Sequence, residues 1–435
     1  MITGKGVTAV VGANWGDEGK GKITDALAAT ADVIVRFQGG NNAGHTIINS
    51  YGKFVLHMLP SGVFHSHITN VIGPGVALNM EGLLNELARL AERGVPKPSL
   101  YISERSQVVL PYHLQLDAWE EERLGSEQFG STKSGIAPFY ADKYAKVGIQ
   151  VADLYDKDRL AAKLNQALAA KNILAEHLYK QPVFRVEELV ETYIAQGEAI
   201  LPYVCDTTGL LHKALRQGNS IVVEGQLGAL RDPDHGIYPF STSSSTLAGY
   251  ATVGAGIPPY AMKRIIAVAK AYSSCVGAGP FVTELHGEDG DELRKRGGDN
   301  GEFGAKTGRP RRMGWFDAVA TRYGCMLQGA TEVALSLLDV LSYLEQIPVC
   351  TAYEIDGIIT KEFPVTSQLD HAKPIYDWLP GWQCEITDIR DFDKLPQQAK
   401  DYVRFLEKQI GVPIRLISNG PRREDYMERV ENSLK

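Results

Sequence analysis

Short apolar runs along this chain end repeatedly in glycine or a polar turn: Val7–Val11, Asp32–Phe37, Asn70–Ile72, Ser220–Val223, Glu332–Leu338 and Pro413–Ile417. Runs of this length, rich in valine and isoleucine and bounded by turn residues, predict strands covered on both faces. Between them the apolar positions change to helical spacing. Leu83, Leu84, Leu87 and Leu90 fall on one stripe of a helix expected over Leu78–Arg93, and Gln397–Gln409 repeats the theme. Strands alternating with helices predict an α/β fold whose large, mostly parallel central sheet carries helices on both faces. In such sheets ligands gather at the carboxyl ends of the strands, where this chain places its polar motifs. No linker, repeat of fixed period or long low-complexity segment divides residues 1–435, so one elaborate domain is expected. Gly287–Gly304 (GEDGDELRKRGGDNGEFG) is charged and glycine-rich and is expected to be a mobile loop of the kind that forms a lid.

Composition narrows the function classes. Apolar residues make up 44% and charged residues 22%, the profile of an ordinary globular protein. A net charge of −7 argues against nucleic-acid binding by backbone neutralisation, though not against a local pocket for a small anion. The N-terminus lacks a signal peptide's apolar region, and no stretch has the length of apolar residues that a membrane helix needs. Five widely spaced cysteines without a CxxC pair fit reduced thiols. A cytoplasmic protein without membrane or nucleic-acid partners is expected.

The candidate chemistry begins after the first strand, at Gly12-Ala-Asn-Trp-Gly-Asp-Glu-Gly-Lys-Gly-Lys22, followed by the helical ITDALAA. Strand, glycine-rich loop and helix N-terminus make an anion site from free backbone N–H groups and a positive dipole end. Lys20 stands where a phosphate-loop lysine reaches a β- or γ-phosphate. The loop is longer than the GxxxxGK pattern, however, and Gly21 replaces the usual serine or threonine. A metal ligand must then come from elsewhere, and Asp17 is available. A carboxylate aimed at a triphosphate needs either a bridging metal or proton-transfer work; otherwise Asp17 and Glu18 are a solvated pair on a glycine-rich turn. A second cluster, Arg36-Phe-Gln-Gly-Gly-Asn-Asn-Ala-Gly-His-Thr46, follows the next strand. Its glycines permit close backbone approach, Asn42 can read donor and acceptor edges, and His45 can bond a phosphate or donate a proton.

WGDEGKGK followed by NNAGHT resembles the adenylosuccinate synthetase family. Further matches are EGQLG (Glu224–Gly228), DHGIYPFSTSS (Asp234–Ser244), VGAGPFVTEL (Val276–Leu285), KTGRPRR (Lys306–Arg312), LDV (Leu338–Val340) and SNGP (Ser418–Pro421), in the family's order over nearly the whole chain. The resemblance implies a P-loop-like GTP-binding architecture and a GTP- and Mg²⁺-dependent ligase that joins IMP to L-aspartate. It gives Asp17 the role of base at N1 of IMP, His45 that of supporting the leaving phosphate, and Lys20 that of neutralising charge in transfer. One Mg²⁺ per subunit is expected on Asp17 and the Gly44 carbonyl. GTP would be held by Gly16 through Lys22 (Gly16, Asp17, Glu18, Gly19, Lys20, Gly21, Lys22), by Gly44, His45 and Thr46, and by Arg311. Its guanine would be read by Asp339, with Leu337, Leu338, Ser418, Asn419 and Gly420 around the base. IMP would meet Asp17, Lys20, Asn42, Ala43, Gly44, His45, Thr132, Gln226, Leu227, Thr242 and Arg309. Aspartate would lie against Ala305, Lys306, Thr307, Gly308, Arg309 and Arg311. A homodimer is implied, with Lys146 reaching the other subunit's IMP.

Four positions depart from the family's pattern. A lysine that lies along the guanine is Leu337 here, and EGAQG reads EGQLG, so the IMP-contacting glutamine becomes Leu227 beside Gln226. The GTTGRGIGP-like segment reads GSTKSGIAP (Gly130–Pro138), which keeps Thr132 and puts the basic residue at Lys133. The arginine reaching the partner's IMP is Lys146, which lacks a guanidinium's fork. Other readings of these residues are a related ligase for another 6-oxopurine nucleotide, a non-catalytic GTP-binding switch, and an ATP-dependent ligase for a different amino acid.

Overall fold

The computed structural model describes residues 6–42, 44–298, 301–304 and 308–429. Among these, ten strands form one sheet: β1 (Val7–Gly12), β2 (Val33–Arg36), β3 (Thr69–Ile72), β4 (Ser99–Ser103), β5 (Val204–Cys205), β6 (Ile221–Glu224), β7 (Met262–Lys270), β8 (Glu332–Ser336), β9 (Ile414–Ser418) and β10 (Tyr426–Glu428). Their spatial order is β10-β9-β8-β7-β1-β6-β2-β3-β4-β5. Only the edge pair β9–β10 is antiparallel.

The alternation along β1 explains why the strand reads as a continuous apolar run. Val7, Ala9 and Val11 point into a cluster with Leu211, Ala248 and Ala251 on one face. Val10 points the other way, against Ile23 and Ala28 of helix α1 (Lys20–Ala28). Both faces are covered, so neither can be polar. All six expected strands are present within a residue or two of their bounds, and β4, β5, β7 and β10 join them. The helix expected at Leu78–Arg93 runs Met80–Glu92, with the Asn79 side chain capping the Gly82 N–H at 2.7 Å. It buries Leu83 and Leu90 fully and Leu84 and Leu87 in part. The second expected helix is Gln397–Ile410.

One expectation is overturned. Instead of a mobile loop, Glu288–Arg296 forms an α-helix. Glu288, Asp289 and Asp291 stand in its first turn and Arg294, Lys295 and Arg296 in its last, which matches the helix dipole at both ends. Leu293 is wholly buried and anchors it. Of the glycines that suggest a loop, Gly287 precedes the helix and Gly297 follows it, where helices commonly break, while Gly290 is buried within it. Residues 299 and 300 of that stretch lie outside the described residues.

Candidate functional site

The carboxyl ends of β1, β2, β6 and β8 open into a cavity of about 1220 Å³. Its floor is the loop between β1 and α1. Within that loop the two adjacent acids have opposite fates. Glu18 is 2% exposed and turns inward; its carboxylate accepts from the Asn14 N–H at 3.1 Å, the Gly16 N–H at 2.9 Å and Lys20 Nζ at 2.5 Å. It braces the loop from inside, and the solvated Asp-Glu pair is ruled out. Gly12 accommodates the brace, because a Cβ there would lie 2.4 Å from the Leu227 carbonyl and 2.6 Å from Glu18 Oε2. Asp17 takes a left-handed φ of 59° and borders the cavity with Lys20. The glycine after the lysine also has a cause: a Cβ on Gly21 would lie 2.7 Å from His45 Cβ. A serine or threonine at that position would displace the histidine.

His45 opens the hairpin strand His45–Asn49 and is 5% exposed. Its Nδ1 lies 2.5 Å from Glu224 Oε1 at the end of β6, and Glu224 is itself held by the Ser61 hydroxyl and by the Ser61 N–H at 2.9 Å. Burial pushes the His45 pKa below its ordinary value, against the opposing pull of Glu224. Burial raises the Glu224 carboxyl, but His45, Arg36 and Ser61 outweigh it and hold it below the ordinary range. The pair therefore rests as carboxylate and neutral imidazole, with the Nδ1 proton on the Glu224 side. Nε2 is buried without a hydrogen-bond partner among the described residues, and His45 borders the cavity.

Arg311 closes the other side. Its Nε lies 3.3 Å from Asp17 Oδ2, and its Nη1 pairs with Glu302. Glu302 is fully buried and also accepts from Lys270 Nζ at 2.7 Å and the Tyr272 hydroxyl at 2.5 Å. Burial opposes ionisation of Glu302, yet Lys270 and Arg311 bring its pKa down to about 2. Arg312 pairs with both oxygens of Glu284. This arginine run is thus an ion-pair network rather than a solvated basic turn, except that Gly308 and Arg309 are exposed.

At the far end of α1's first turn, Lys22 Nζ donates to Ser418 Oγ at 2.7 Å, to the Gly420 carbonyl at 2.6 Å and to the Asp425 carbonyl at 2.8 Å. Lys22 thereby ties the phosphate loop's helix to the loop after β9. Asp339 follows β8 in a short helical turn, with Oδ1 unpartnered among the described residues and burial pushing its pKa up to about 6. Leu337, in a left-handed φ of 59°, borders the cavity with Ser418 and Gly420. Leu338 is buried in the apolar core, and the Asn419 amide is turned away onto the carbonyls of Ile386 and Ile389.

Of the remaining expected residues, Asn42, Gly44, Thr132, Leu227 and Thr242 border the same cavity. Thr46 borders it too, and is exposed. Gln226 is buried behind Asn42, with its amide on Arg36 and Asn42. Lys146 is exposed at the end of helix Ile136–Ala145 and does not border the cavity. Ala43, Ala305, Lys306 and Thr307 lie outside the described residues. Sequence reasoning missed the supporting groups: Glu224, Ser61, Arg36, Glu302 and Lys270. It also missed Glu121, whose carboxylate receives the N–H groups of Phe129, Gly130 and Ser131 and so shapes the Thr132 loop. Glu224 and Arg36 had a signal, each being the charged residue that ends an apolar strand at the start of a glycine-rich motif.

A family model for adenylosuccinate synthetase matches residues 9–427. The adenylosuccinate synthetase of Geobacillus kaustophilus is 47% identical over 415 residues, 95% of this chain and 96% of that one. The fully ligated adenylosuccinate synthetase of Plasmodium falciparum superposes with a TM-score of 0.90 at 31% identity, covering 98% of this chain and 100% of that one. Cyanophage S-2L succinoaminodeoxyadenylate synthetase, bound to dGMP and dATP, has a TM-score of 0.59 at 19% identity, covers 98% of this chain and 95% of its own, and shares the fold alone. The phosphate loop, the buried histidine and the match along the chain agree: the chain belongs to the adenylosuccinate synthetase family, ligases that join IMP to aspartate.

Proposed function

We propose that this site spends GTP to join IMP and L-aspartate through a 6-phosphoryl-IMP intermediate, releasing adenylosuccinate, GDP and phosphate. One observation carries the reading. An outward carboxylate, Asp17, and the unpartnered Nε2 of His45 belong to one cavity at the mouth of a phosphate loop. Asp17 takes the proton from N1 of IMP, and the electron pair moves to O6. The O6–phosphorus bond forms as the bond from the γ-phosphorus to its bridging oxygen breaks. Lys20 supplies positive charge, and His45, protonated at Nε2 once the triphosphate's charge stands beside it with the Glu224 carboxylate behind, donates a hydrogen bond to the departing GDP, the electrostatic work such a transfer requires. Aspartate's amine then attacks C6, and O6 leaves with the phosphate. Asp339 and the Ser418–Gly420 loop receive the guanine, whose N1–H and 2-amino groups match a carboxylate's two acceptors. Arg309 and Arg311 face the carboxylates of aspartate, and IMP lies along Asn42, Thr132 and Thr242, with Lys146 acting from a partner subunit.

The donor set suits Mg²⁺. Asp17 and the Gly44 carbonyl are hard oxygen ligands, and a magnesium ion bound largely through phosphates and water needs few protein ligands. Bound there, it would neutralise the phosphate oxygens. The test is direct: purified protein, GTP, Mg²⁺, IMP and aspartate, with product followed by adenylosuccinate's ultraviolet absorbance. Turnover with ATP as good as with GTP, or no product at all, rejects the reading.

A further inference from the structure

Gln226 stands where the family's EGAQG pattern carries alanine, and it is 1% exposed. It does not border the cavity. Arg36 Nη2 donates to Gln226 Oε1 at 2.6 Å. A guanidinium has donors and no acceptor, so the oxygen of the glutamine amide must lie on that side. The nitrogen then lies on the other side, where Nε2 donates to Asn42 Oδ1 at 2.8 Å. That same Oδ1 accepts from the Gly40 N–H at 3.2 Å. Two donors converging on Oδ1 fix the second amide in turn, and the atom of Asn42 left for the cavity is Nδ2, which can only donate.

The relay is firmly seated. Arg36 is 1% exposed at the end of β2 and also donates to the His57 carbonyl at 3.3 Å. The Gln226 carbonyl accepts from Gln38 Nε2 at 2.7 Å, and Gln38 Oε1 accepts from Ser244 Oγ at 3.1 Å. Gly39 leaves room for the glutamine: at its φ of 69°, a Cβ would lie 1.4 Å from Gln226 Nε2.

We propose that Gln226 is a positioning residue that sets specificity: by passing on the polarity of Arg36 it locks Asn42 as a pure hydrogen-bond donor committed to an oxyanion, the phosphate of the bound purine monophosphate. An unlocked asparagine turns over to suit a donor or an acceptor, whereas a locked one favours phosphate oxygens and rejects donors. The identity of the monophosphate rests on the proposed function; the locking rests on the hydrogen bonds alone.

The test is a double-mutant cycle of Gln226→Glu and Asn42→Ala, read by calorimetric binding of IMP, of GTP and of millimolar inosine. Gln226→Glu keeps the shape and the Arg36 contact but sets an oxygen against Asn42 Oδ1, so Asn42 turns over. IMP binding is expected to weaken roughly ten- to hundredfold, the worth of a hydrogen bond to a charged group, while GTP and inosine bind as before. In the Asn42→Ala background Gln226→Glu adds nothing further, because the glutamine acts only through that asparagine. Equal losses in both backgrounds overturn the relay, and equal losses for inosine and IMP overturn its assignment to phosphate. If the glutamate variant does not fold, Gln226→Ala, the family's own residue, is put through the same cycle and must show the same dependence on Asn42. A wild-type protein that fails to bind IMP refutes the proposed function. A Gln226→Glu protein that binds IMP as well as wild type refutes only the relay.

Discussion

At the scale of single residues, the site separates groups that face the ligand from neighbours that hold them. Asp17 and Glu18 are adjacent acids, yet one borders the cavity and the other anchors Lys20 and two loop amides. If Asp17 is the base, Asp17→Asn keeps its shape and removes proton abstraction. Turnover with IMP should fall by ~10²–10⁴, the usual worth of general-base catalysis. GTP binding should survive, because Lys20 and the loop amides remain. A variant retaining more than about a tenth of wild-type turnover contradicts the role. Asp339 gives a pH-dependent counterpart. Burial raises its pKa to about 6, so it is ionised at neutral pH and protonated below that value. If Asp339 reads guanine, the base needs the ionised form, which accepts two hydrogen bonds. GDP affinity should therefore hold from pH 7 to 8 and weaken below pH 6, approaching about tenfold per pH unit by proton linkage. Asp339→Asn should abolish that pH dependence and shift preference towards xanthosine triphosphate, both measurable by equilibrium titration.

At the scale of elements, the junction of loop and helix is the informative one. Lys20 and Lys22 both lie in the first turn of α1, but the first is paired with Glu18 and the second spans to the loop after β9. One rigid turn thus links the expected phosphate end of GTP to its base end. Gly21 between them is the point where α1 touches the hairpin that carries His45. Gly21→Ser restores the residue type of an ordinary phosphate loop and places a Cβ 2.7 Å from His45 Cβ. The expected outcome is a loss of kcat much larger than the loss of GTP affinity, since the phosphate cradle stays and the histidine moves. Unchanged turnover would show that the hairpin yields freely. The Glu288–Arg296 helix carries a related lesson. Its glycine flanks and charge suggested a loop, whereas one buried leucine and charges matched to the dipole suffice for two and a half turns.

At the scale of the whole molecule, the sheet brings segments from both ends of the chain to one cavity, and assembly is expected to complete it. Lys146 is exposed and away from its own subunit's cavity. If it serves a partner's IMP in a two-fold dimer, subunits bearing Lys146→Ala and Asp17→Asn complement each other. A mixed dimer has one site with both lesions and one with neither, so random pairing leaves roughly a quarter of all sites intact. Co-expression should recover activity well above either variant alone. A nearly normal Lys146→Ala protein would move the assignment to Lys133 or Lys143, and impairment without rescue would refute the shared site.

What the sequence determined by itself is local or carried by motif. Short β-branched runs between turns announced six strands of the sheet, because a strand covered on both faces has no polar position to hide it. Glycines before a helix announced the phosphate loop, and eight motifs in order announced the family. The strands that escaped have ordinary composition. Met262–Lys270 begins MKR and ends in lysine, and Val204–Cys205 is a strand only because Ile102 and Ser103 pair with it. What only the tertiary structure decided is direction: which of two adjacent acids faces the ligand, why a glycine follows the lysine, and whether Gln226 meets the nucleotide or stands behind Asn42. Those outcomes depend on groups up to about 200 residues away in sequence, Leu227 and His45 beside the loop and Arg36 beside Gln226. A loop's own residues allow either orientation, and the polarity of a buried amide is set by the partner it finds there.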